Sequence, residues 1–333
     1  MKLVITGGSG FIGSNLVRKI INETHHSVVN IDNITYAGKN KSLSTIENNP
    51  KYKHYKDDIR DPVRLREIFE KEKPEAVLHL AAESHVDRSI GAPVIFIQTN
   101  VFGTYTMLET TRSYLSQCEH FVRSQFKFIH VSTDEVFGSL GLDDLPFTEK
   151  SRYKPNSPYS ASKASSDFLV RSWNKTYKVP SLITNCSNNY GPRQNTEKFV
   201  PKIITNLIKN KVVPVYGNGQ NIRDWLHVED HCSALLKLLD DGKVGQSYCI
   251  GGNNEISNNK IVQIIKEEMQ EKLKRSNLTP LISYVADRSG HDYRYAINSD
   301  KIKLLGWQPS ISFDQGIKDT IDWYLSNMDW WEI

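Results

Sequence analysis

A glycine-rich turn near the start of the chain restricts the possible folds more than any other feature. The apolar run Lys2–Thr6 leads into Gly7-Gly-Ser-Gly-Phe-Ile-Gly13, and an apolar helical pattern follows at once. This is G-x-G-x-x-G spacing from Gly8 and G-x-x-G-x-x-G spacing from Gly7, between a strand and a helix. Gly7, Gly10 and Gly13 allow a tight turn and close approach of the backbone to a ligand. The helix amino terminus adds free N–H groups and a positive dipole end, which suit a pyrophosphate. The turn therefore predicts a dinucleotide site.

Carboxylates at later strand ends extend this site. Asp32 ends a second apolar run about 20 residues after the turn, where a carboxylate accepts both ribose hydroxyls. It would repel a 2′-phosphate, so NAD is favoured over NADP. Asp57-Asp-Ile59 follows the third strand and suits an adenine amino group, while the small side chains in Leu80-Ala-Ala-Glu-Ser84 would let a cofactor lie close to the backbone. Taken singly, each of the last two stretches is also compatible with an ordinary strand-end loop.

Short apolar runs alternate with helical patterns through the first half of the chain. The runs are rich in Val and Ile, as buried parallel strands are. They predict strands over Lys2–Thr6, Ser27–Asp32, Tyr52–Tyr55, Ala76–Leu80, Lys127–Val131 and Pro180–Asn185. Such alternation implies right-handed crossovers, so we expect an α/β fold with a Rossmann-type, doubly wound parallel sheet. We expect residues 1–187 to form this domain, completed by segments near 217–250, and residues 188–333 to form mainly a smaller, interleaved α/β substrate-binding lobe.

Charge and cysteine content exclude several classes of protein. The 333 residues include 42 Lys and Arg against 38 Asp and Glu, and the net charge is +4. Because both signs are scattered rather than collected on a basic face, we expect no nucleic-acid partner. The 4 cysteines lack C-x-x-C spacing, which argues against a metal site and a disulfide framework and favours reduced thiols. No stretch approaches a membrane span and no leader pattern is visible, so we expect a cytoplasmic protein.

Tyr159 and Lys163 form a Y-x-x-x-K pair at the start of a long helical pattern. The spacing places both side chains on one helical face, and a nearby ammonium favours the phenolate, so Tyr159 is predicted to be a base. The pair alone is common by chance. Here it follows the glycine-rich half of the chain, with Thr133 at the end of the preceding strand. This combination resembles the extended short-chain dehydrogenase/reductase family.

Asp134 and Glu135 distinguish between the reactions that this family performs. The two adjacent carboxyl groups come just after a buried strand, beside the predicted hydride site. Epimerases and reductases need no acid–base pair there, whereas a dehydration must remove a C5 proton and expel the C6 hydroxyl. Loop carboxylates or helix caps are the alternative interpretation, but the surrounding motifs favour chemistry.

Stretches spread over nearly the whole chain resemble the nucleotide-sugar 4,6-dehydratases. They are Thr6–Ser14, Asp32–Gly38, Leu80–Ser89, Ser132–Glu135, Ser157–Asp167, Thr184–Pro192, Arg223–Trp225 and Asp287–Asp292. With the glycine turn, the resemblance implies an NAD site formed by Gly7, Gly10, Phe11, Ile12, Gly13, Asp32, Asn33, Ile34, Thr35, Asp58, Ile59, Leu80, Ala81, Ala82, Glu83, Ser84, Thr99, Tyr159, Lys163 and Asn189. It implies a sugar site at Ser84, Thr133, Asn188, Lys198 and Phe199, a border to the nucleotide base at Pro214, Val215 and Tyr216, and diphosphate and ribose contacts from Arg223, Asn258, Arg288 and His291.

The resemblance implies that dTDP-glucose or UDP-glucose is converted to a 4-keto-6-deoxy sugar nucleotide with loss of water. Tyr159, helped by Lys163 and Thr133, would take the C4 hydroxyl proton while a hydride passes to NAD⁺. Glu135 would then remove the C5 proton and Asp134 would protonate the departing C6 hydroxyl, before the hydride returns to C6. The alternatives are a nucleotide-sugar 4-epimerase, a dehydratase for an N-acetylated sugar, and a non-catalytic NAD-binding protein.

A homodimer is also implied, with contacts through helices near Asn100–Leu115 and Ser160–Trp173. Val101, Tyr105 and Leu108 supply part of the apolar face that such a four-helix packing needs. If no dimer forms, the same side chains would instead pack against their own sheet.

Three positions depart from the family's usual pattern. Phe137 stands where Tyr is usual, Ser289 replaces Pro, and Tyr293 replaces Arg. None of them is a predicted catalytic residue. The last two lie in the predicted nucleotide-binding lobe, so the preference for dTDP or UDP stays open.

Overall fold

The structure is a computed structural model that describes residues 1–275, 278 and 281–332. It contains a main sheet of 7 strands and two smaller sheets. The strands are β1 (Lys2–Thr6), β2 (Ser27–Ile31), β3 (Tyr52–Tyr55), β4 (Ala76–His79), β5 (Lys127–Thr133), β6 (Ser181–Cys186), β7 (Asn188–Tyr190), β8 (Val213–Tyr216), β9 (Ile222–His227), β10 (Ser247–Ile250), β11 (Glu255–Ser257) and β12 (Ile282–Val285). The main sheet has the order β10-β6-β5-β4-β1-β2-β3, and its neighbouring strands pair in parallel. The predicted doubly wound parallel sheet is confirmed.

Helices connect these strands. They are α1 (Phe11–Glu23), α2 (Pro62–Glu72), α3 (Val86–Gly91), α4 (Pro93–Phe96), α5 (Gly103–Gln117), α6 (His120–Gln125), α7 (Pro158–Tyr177), α8 (Phe199–Ile208), α9 (Val228–Asp241), α10 (Asn258–Leu273), α11 (Asp300–Lys303), α12 (Phe313–Ser326) and α13 (Met328–Trp331). Short 3₁₀ turns lie at Asn40–Leu43 and Asp134–Phe137, and a π-helical turn, Ile97–Phe102, precedes α5. No helix within the described ranges is long and apolar enough to cross a membrane.

The order of strands reverses between β1 and β4. After β1 the chain adds β2 and β3 on one side, and then returns to add β4, β5 and β6 on the other. In an open sheet of this kind a ligand binds outside the carboxyl ends of the strands at the reversal. The glycine-rich turn follows β1 and therefore lies at this point.

Apolar side chains cover both faces of the main sheet. On one face α1 and α9 pack through Ile20 and Leu235. On the other face α2, α5 and α7 pack through Phe69, Leu108 and Val170. Leu108 is fully buried in this core, so its predicted place on a dimer face is wrong. Because each face is covered by helices, continuous apolar strands are stable there.

A second lobe is built around two small sheets with the orders β11-β9-β7 and β12-β8. Its core packs α8, α10 and α12 together, with Ile203, Ile265 and Ile321 fully buried. The two lobes are interleaved, because β10 and α9 return to the main sheet between β9 and β11. The sequence gives no signal for a further return, in which Ile302 of α11 and Trp307 pack into the core of the main sheet.

The amino terminus of α7 is held by a capping box. Ser157 Oγ accepts from the Ser160 backbone N–H at 3.0 Å, and Ser160 Oγ accepts from the Ser157 backbone N–H at 3.0 Å. Pro158 occupies the first helical turn, where its missing N–H costs nothing. These contacts fix the start of the helix that carries Tyr159 and Lys163.

Candidate active site

A cleft of about 330 Å³ opens at the carboxyl ends of the main-sheet strands, where the order of strands reverses between β1 and β4. The structure brings together there most of the residues predicted from the sequence. The predicted residues that line it are Gly7, Gly10, Phe11, Ile12, Gly13, Asp32, Asn33, Thr35, Asp58, Ile59, Leu80, Ala81, Ala82, Glu83, Ser84, Thr99, Thr133, Asp134, Glu135, Tyr159, Lys163, Asn188, Asn189 and Lys198.

The glycine-rich turn forms a cradle that larger residues would block. Gly7 has φ +71°, and a Cβ added there would lie 2.7 Å from the Ala81 backbone nitrogen. A Cβ at Gly13 would collide with the Gly7 carbonyl oxygen. Gly10 caps α1 without a side chain, so the first turn of the helix faces the cleft with its N–H groups. This arrangement fits a pyrophosphate.

Asp32 is oriented by the backbone around it. Its Oδ2 accepts from the Ser9 N–H at 2.8 Å and its Oδ1 accepts from the Ile34 N–H at 2.8 Å. Burial raises the pKa of Asp32, and these two hydrogen bonds oppose the rise. Ile34 itself has φ 53° and does not line the cleft, so only its backbone contributes. The sequence could not show that its side chain points away.

Asp58 closes the adenosine end of the cleft. Its carboxylate pairs with Arg60 at 2.6 Å and accepts from Asn33 Nδ2 at 3.1 Å. Burial raises the pKa of Asp58, but the hydrogen bonds and the charge of Arg60 lower it by more. The pKa of Asp58 therefore lies below its ordinary value. Asp58 is therefore available as an acceptor for an amino group, as predicted.

Asp134 and Glu135 lie side by side on the 3₁₀ turn that follows β5. Asp134 is 1% exposed, its Oδ2 has no hydrogen-bond partner, and Thr133 Oγ1 donates to its Oδ1 at a long 3.3 Å. Burial, then Glu135 and Asp224, raise the pKa of Asp134 well above its ordinary value. Such surroundings favour a protonated carboxyl group.

Glu135 has a different electrostatic environment. Its pKa is also raised, because burial outweighs the cationic groups of Arg288, Lys198 and Arg223, which act in the opposite direction. Of these three cations, Arg223 is the one that lowers the pKa of Asp134. Two adjacent carboxyl groups therefore differ in their tendency to hold a proton, which is the usual condition for separate acid and base roles.

Tyr159 and Lys163 lie on the cleft-facing side of α7, and both side chains are buried. Lys163 Nζ donates to the Val131 carbonyl oxygen at 2.8 Å. The pKa of Tyr159 is raised well above 10, first by burial and then by Glu135, Cys186 and Asp134. A hydrogen bond with Thr133 acts in the opposite direction. Burial and these neighbouring groups oppose the phenolate, and the role of Tyr159 as a base stays a prediction.

The second lobe supplies one wall of the cleft. Lys198 Nζ donates to the Ser84 carbonyl oxygen at 2.6 Å, directly beside the sugar residues predicted from the sequence. Asn189 Oδ1 is 2.9 Å from His231 Nδ1, a buried ring whose pKa is lowered to about 3 by burial. A neutral His231 therefore fixes the orientation of Asn189 without adding charge.

The remaining predicted substrate residues lie outside this cleft, in the second lobe or at its edge. They are Phe199, Pro214, Val215, Tyr216, Arg223, Asn258, Arg288 and His291. The Arg223 guanidinium donates to backbone carbonyl oxygens of Ile222, Asp292 and Tyr293, at 2.7, 2.8 and 3.1 Å. The Val215 side chain is fully buried in the core of the lobe, so it can offer a base only its backbone.

Arg288 lies opposite a carboxylate that the sequence did not single out. Its Nη1 is 3.6 Å from Asp87 Oδ1, and the Tyr216 hydroxyl donates to Asp87 Oδ2 at 3.1 Å. Its Nε is buried and has no hydrogen-bond partner. An arginine with this unsatisfied donor is suited to a polyanionic ligand.

Several residues that line the cleft were missed by sequence reasoning. They are Ile31, Ala37, Gly38, Arg60, Ile95, Val131, Ser132, Cys186, Ser187, Gln194, Asn195 and Glu197. Some of them could have been found from the sequence motifs. Ala37 and Gly38 belong to the stretch Asp32–Gly38, and Cys186 belongs to the stretch Thr184–Pro192. Gln194, Asn195 and Glu197 carried no local signal, since the fold of the second lobe brings them to the cleft.

Comparison with known proteins agrees with this geometry. The family model described as GDP-mannose 4,6 dehydratase matches residues 4–320. A protein from Escherichia coli named dTDP-glucose 4,6-dehydratase is 51% identical, over 100% of this chain and 96% of its own length. The chain belongs to the nucleotide-sugar 4,6-dehydratase family.

Solved structures of this dehydratase family share the fold. The dTDP-glucose 4,6-dehydratase of Bacillus anthracis, crystallised in complex with NAD, is 40% identical and covers 100% of this chain and 99% of its own, with a TM-score of 0.88. The UDP-glucose 4-epimerase of Thermotoga maritima, with UDP-glucose, is 27% identical, covers 98% and 100%, and has a TM-score of 0.86. The fold is therefore shared with epimerases, whereas sequence identity is higher to dehydratases.

One of the three departures from the family pattern has a structural explanation. Phe137 is buried, with its ring 5.1 Å from Phe147 and 5.2 Å from Tyr153, so an apolar ring suits its surroundings. Ser289 is exposed beside Gly290, and Tyr293 is 38% exposed. Nothing in the structure explains why Ser289 and Tyr293 replace the usual residues.

Proposed function

We propose that this protein is an NAD-dependent dTDP-glucose 4,6-dehydratase, which converts dTDP-glucose to dTDP-4-keto-6-deoxyglucose and water. One observation carries the proposal: Asp134 and Glu135 share a single cleft with Tyr159 and Lys163. An epimerase or a non-catalytic NAD-binding protein has no use for two adjacent carboxyl groups at that place. The names of the relatives support the same substrate.

The residues at the strand ends suit NAD. The glycine cradle would hold the pyrophosphate at the amino terminus of α1, and Asp32 would accept the ribose hydroxyls. Bound NAD⁺ would accept a hydride from C4 of the sugar and return it to C6.

Tyr159 would take the proton of the C4 hydroxyl as that carbon is oxidised. Thr133, which is hydrogen bonded to Tyr159, would orient the hydroxyl, and the ammonium of Lys163 would stabilise the phenolate. The C4 ketone that forms makes the neighbouring C5 hydrogen acidic. The next step, elimination of water, would use the two carboxyl groups.

Glu135 would remove the C5 proton, and Asp134 would donate a proton to the departing C6 hydroxyl. The surroundings support this division, since Glu135 has three cationic groups that favour its ionised form. Asp134 lacks solvent and has one long hydrogen bond, which favours the protonated acid. Glu135 would finally return its proton to C5. The proton that Tyr159 took from the C4 hydroxyl balances the one that Asp134 gave to the leaving water, and exchange of these two protons with solvent would return every group to its starting state.

The second lobe would bind the nucleotide. Arg288 and Arg223 are the cations that would face the diphosphate, and Lys198 would bind near the sugar. We propose the same division of the chain as the sequence predicted, in which residues 1–187 bind mainly the cofactor and residues 188–333 mainly the nucleotide sugar. Free cysteines throughout the chain support a reducing compartment such as the cytoplasm.

The purified protein should convert dTDP-glucose, without added reductant, to a product that is lighter by one water. Mass spectrometry of the sugar nucleotide measures this directly, and UDP-glucose in a parallel reaction tests the choice of base. The Asp134→Asn/Glu135→Gln double variant is the control and should give no dehydrated product. A product of unchanged mass from the wild-type protein would exclude a dehydratase and favour an epimerase.

A further inference from the structure

Asp167 lies one turn beyond Lys163 on α7, and the two buried side chains share one face of the helix. The proton steps described above do not use it. Its Oδ2 accepts from the Tyr153 hydroxyl at 2.8 Å, from Ser132 Oγ at 3.0 Å and from Asn185 Nδ2 at 3.2 Å. These three donors hold in place a carboxylate that is 0% exposed.

The ammonium of Lys163 needs such a charge nearby. The one hydrogen bond described for Nζ goes to the neutral Val131 carbonyl. Burial lowers the pKa of Lys163, whereas Asp167, and after it Cys186, raise the pKa. An isolated buried ammonium tends to lose its proton, so the carboxylate behind it compensates for the loss of solvent.

The other titratable groups around this pair do not replace Asp167. His130 of β5 has its Nε2 3.2 Å from Asp167 Oδ1, but burial and then Lys163 lower the pKa of His130 to about 4, so it is neutral. The pKa of His79, on β4, is also lowered well below 6.5, first by burial. On β6, burial raises the pKa of Cys186 to about 12, which keeps the thiol neutral.

The remaining charges lie on either side of the pair. Asp134 and Glu135 act on Tyr159, at the cleft side of the helix. Arg171 lies at the far side, where its guanidinium is 3.3 Å from the Tyr153 hydroxyl. Asp167 is therefore the carboxylate one helical turn from Lys163 on the same face of α7, and the one named as acting on its ammonium.

We propose that Asp167 is a positioning residue that keeps Lys163 charged and directed toward Tyr159 during C4 oxidation. This inference rests on the proposed function, because that function gives Lys163 its task. Without the carboxylate, Lys163 would lose its proton at a lower pH. Tyr159 would then lose the positive charge that favours the phenolate, and oxidation would fail at an alkaline pH at which the wild-type enzyme still works.

The test is the pH dependence of C4 oxidation in Asp167→Asn, which removes the charge and nearly keeps the shape. Single-turnover formation of reduced nicotinamide from dTDP-glucose should lose its alkaline limb about one pH unit or more earlier than the wild type. Tyr153→Phe is the matched control, because it removes a hydrogen bond to the same carboxylate and keeps the charge. Its alkaline limb should stay at the wild-type position. Superimposed profiles of Asp167→Asn and the wild type would overturn the proposal.

A second measurement reads the charge of Lys163 without substrate and without the Asp167→Asn variant. Wild-type holoenzyme with isotopically labelled lysine should show Lys163 as an ammonium at neutral pH by NMR, with the resonance assigned by its loss in Lys163→Arg. A neutral amine would overturn the proposal even if Asp167→Asn does not fold. Failure of the wild-type enzyme to dehydrate dTDP-glucose would instead count against the proposed function, so the two failures are distinguishable.

Discussion

Asp134 and Glu135 are adjacent in sequence but have different surroundings at the level of single residues. Asp134 points into a nearly solvent-free space with an unpartnered oxygen, whereas Glu135 faces the cationic groups of Arg288, Lys198 and Arg223. Dehydration needs an acid at O6 and a base at C5, and these are different atoms. A pair of carboxyl groups in unlike environments satisfies both requirements in one site.

Asp32 should determine the choice of cofactor. Asp32→Ala removes the acceptor of the ribose hydroxyls, so we expect affinity for NAD to fall by roughly 10- to 100-fold. The gap between NAD and NADP should narrow, because the charge that repels a 2′-phosphate is lost. Calorimetric titration of both cofactors measures this. Asp61→Ala, which removes a carboxylate that caps α2 away from the cleft, is the control. Wild-type preference for NADP would contradict the role of Asp32.

The residues predictable from the sequence are those that lie in contiguous motifs. Gly7, Asp32, Tyr159 and Lys163 each follow from local spacing, because a strand end or a helical face alone determines where they point. Glu197 reaches the cleft through tertiary folding, which leaves no mark on neighbouring positions. The direction of Ile34 depended on its left-handed backbone, and the raised pKa of Tyr159 depended on burial.

At the scale of elements, strands β1 to β6 were predicted to within two residues, since most of their apolar runs are continuous and end in turns. The buried strands β9 and β10 were not predicted as strands. The capping box of α7 places Tyr159 within the first turn of a well-anchored helix. The π-helical turn Ile97–Phe102 was not predicted, because a single extra residue per turn leaves no sequence period. The return of α11 to the main sheet was also missed, since it is only Asp300–Lys303 long.

Ser157→Ala should destabilise the protein and also reduce activity. Loss of the cap should lower the free energy of unfolding by about 1 kcal/mol, measured by urea denaturation. Asp61→Ala removes the cap of α2 and should cost a similar amount. Only Ser157→Ala should lower the turnover number, because Tyr159 lies in the first turn of its helix. Equal turnover in both variants would show that this turn is held by packing alone.

At the scale of the whole molecule, the two lobes enclose the cleft, while exposed and half-buried aromatic rings lie near the far end of α7. We define the aromatic face as Phe102, Tyr105, Trp173 and Tyr177. Successive ring centroids along it are 5.7, 5.8 and 5.3 Å apart, and Phe102 is 50% exposed. The face joins the start of α5 to the end of α7, which are the helices that the sequence predicted for a dimer contact. We propose a homodimer through this face.

The aromatic face gives a prediction for assembly. The wild-type protein should be a dimer at micromolar concentration by light scattering, and Phe102→Glu should shift it toward monomer because a buried unpaired charge is costly. Phe121→Glu is the matched control, since Phe121 is 73% exposed on α6, outside the face. A wild-type monomer, or an equal effect of both variants, would count against the proposed contact.

The central claim is that oxidation and elimination use different residues of one cleft, and Glu135→Gln tests it most directly. The substitution keeps size and hydrogen bonding but removes the base at C5. In a single turnover with dTDP-glucose, we expect reduced-nicotinamide absorbance to rise and persist, with little dehydrated product, because no C5–C6 alkene forms to take the hydride back. Tyr159→Phe should show no rise, since C4 oxidation itself is blocked. Dehydration by Glu135→Gln at the wild-type rate would contradict the account, because Glu135 would then be only a loop carboxylate.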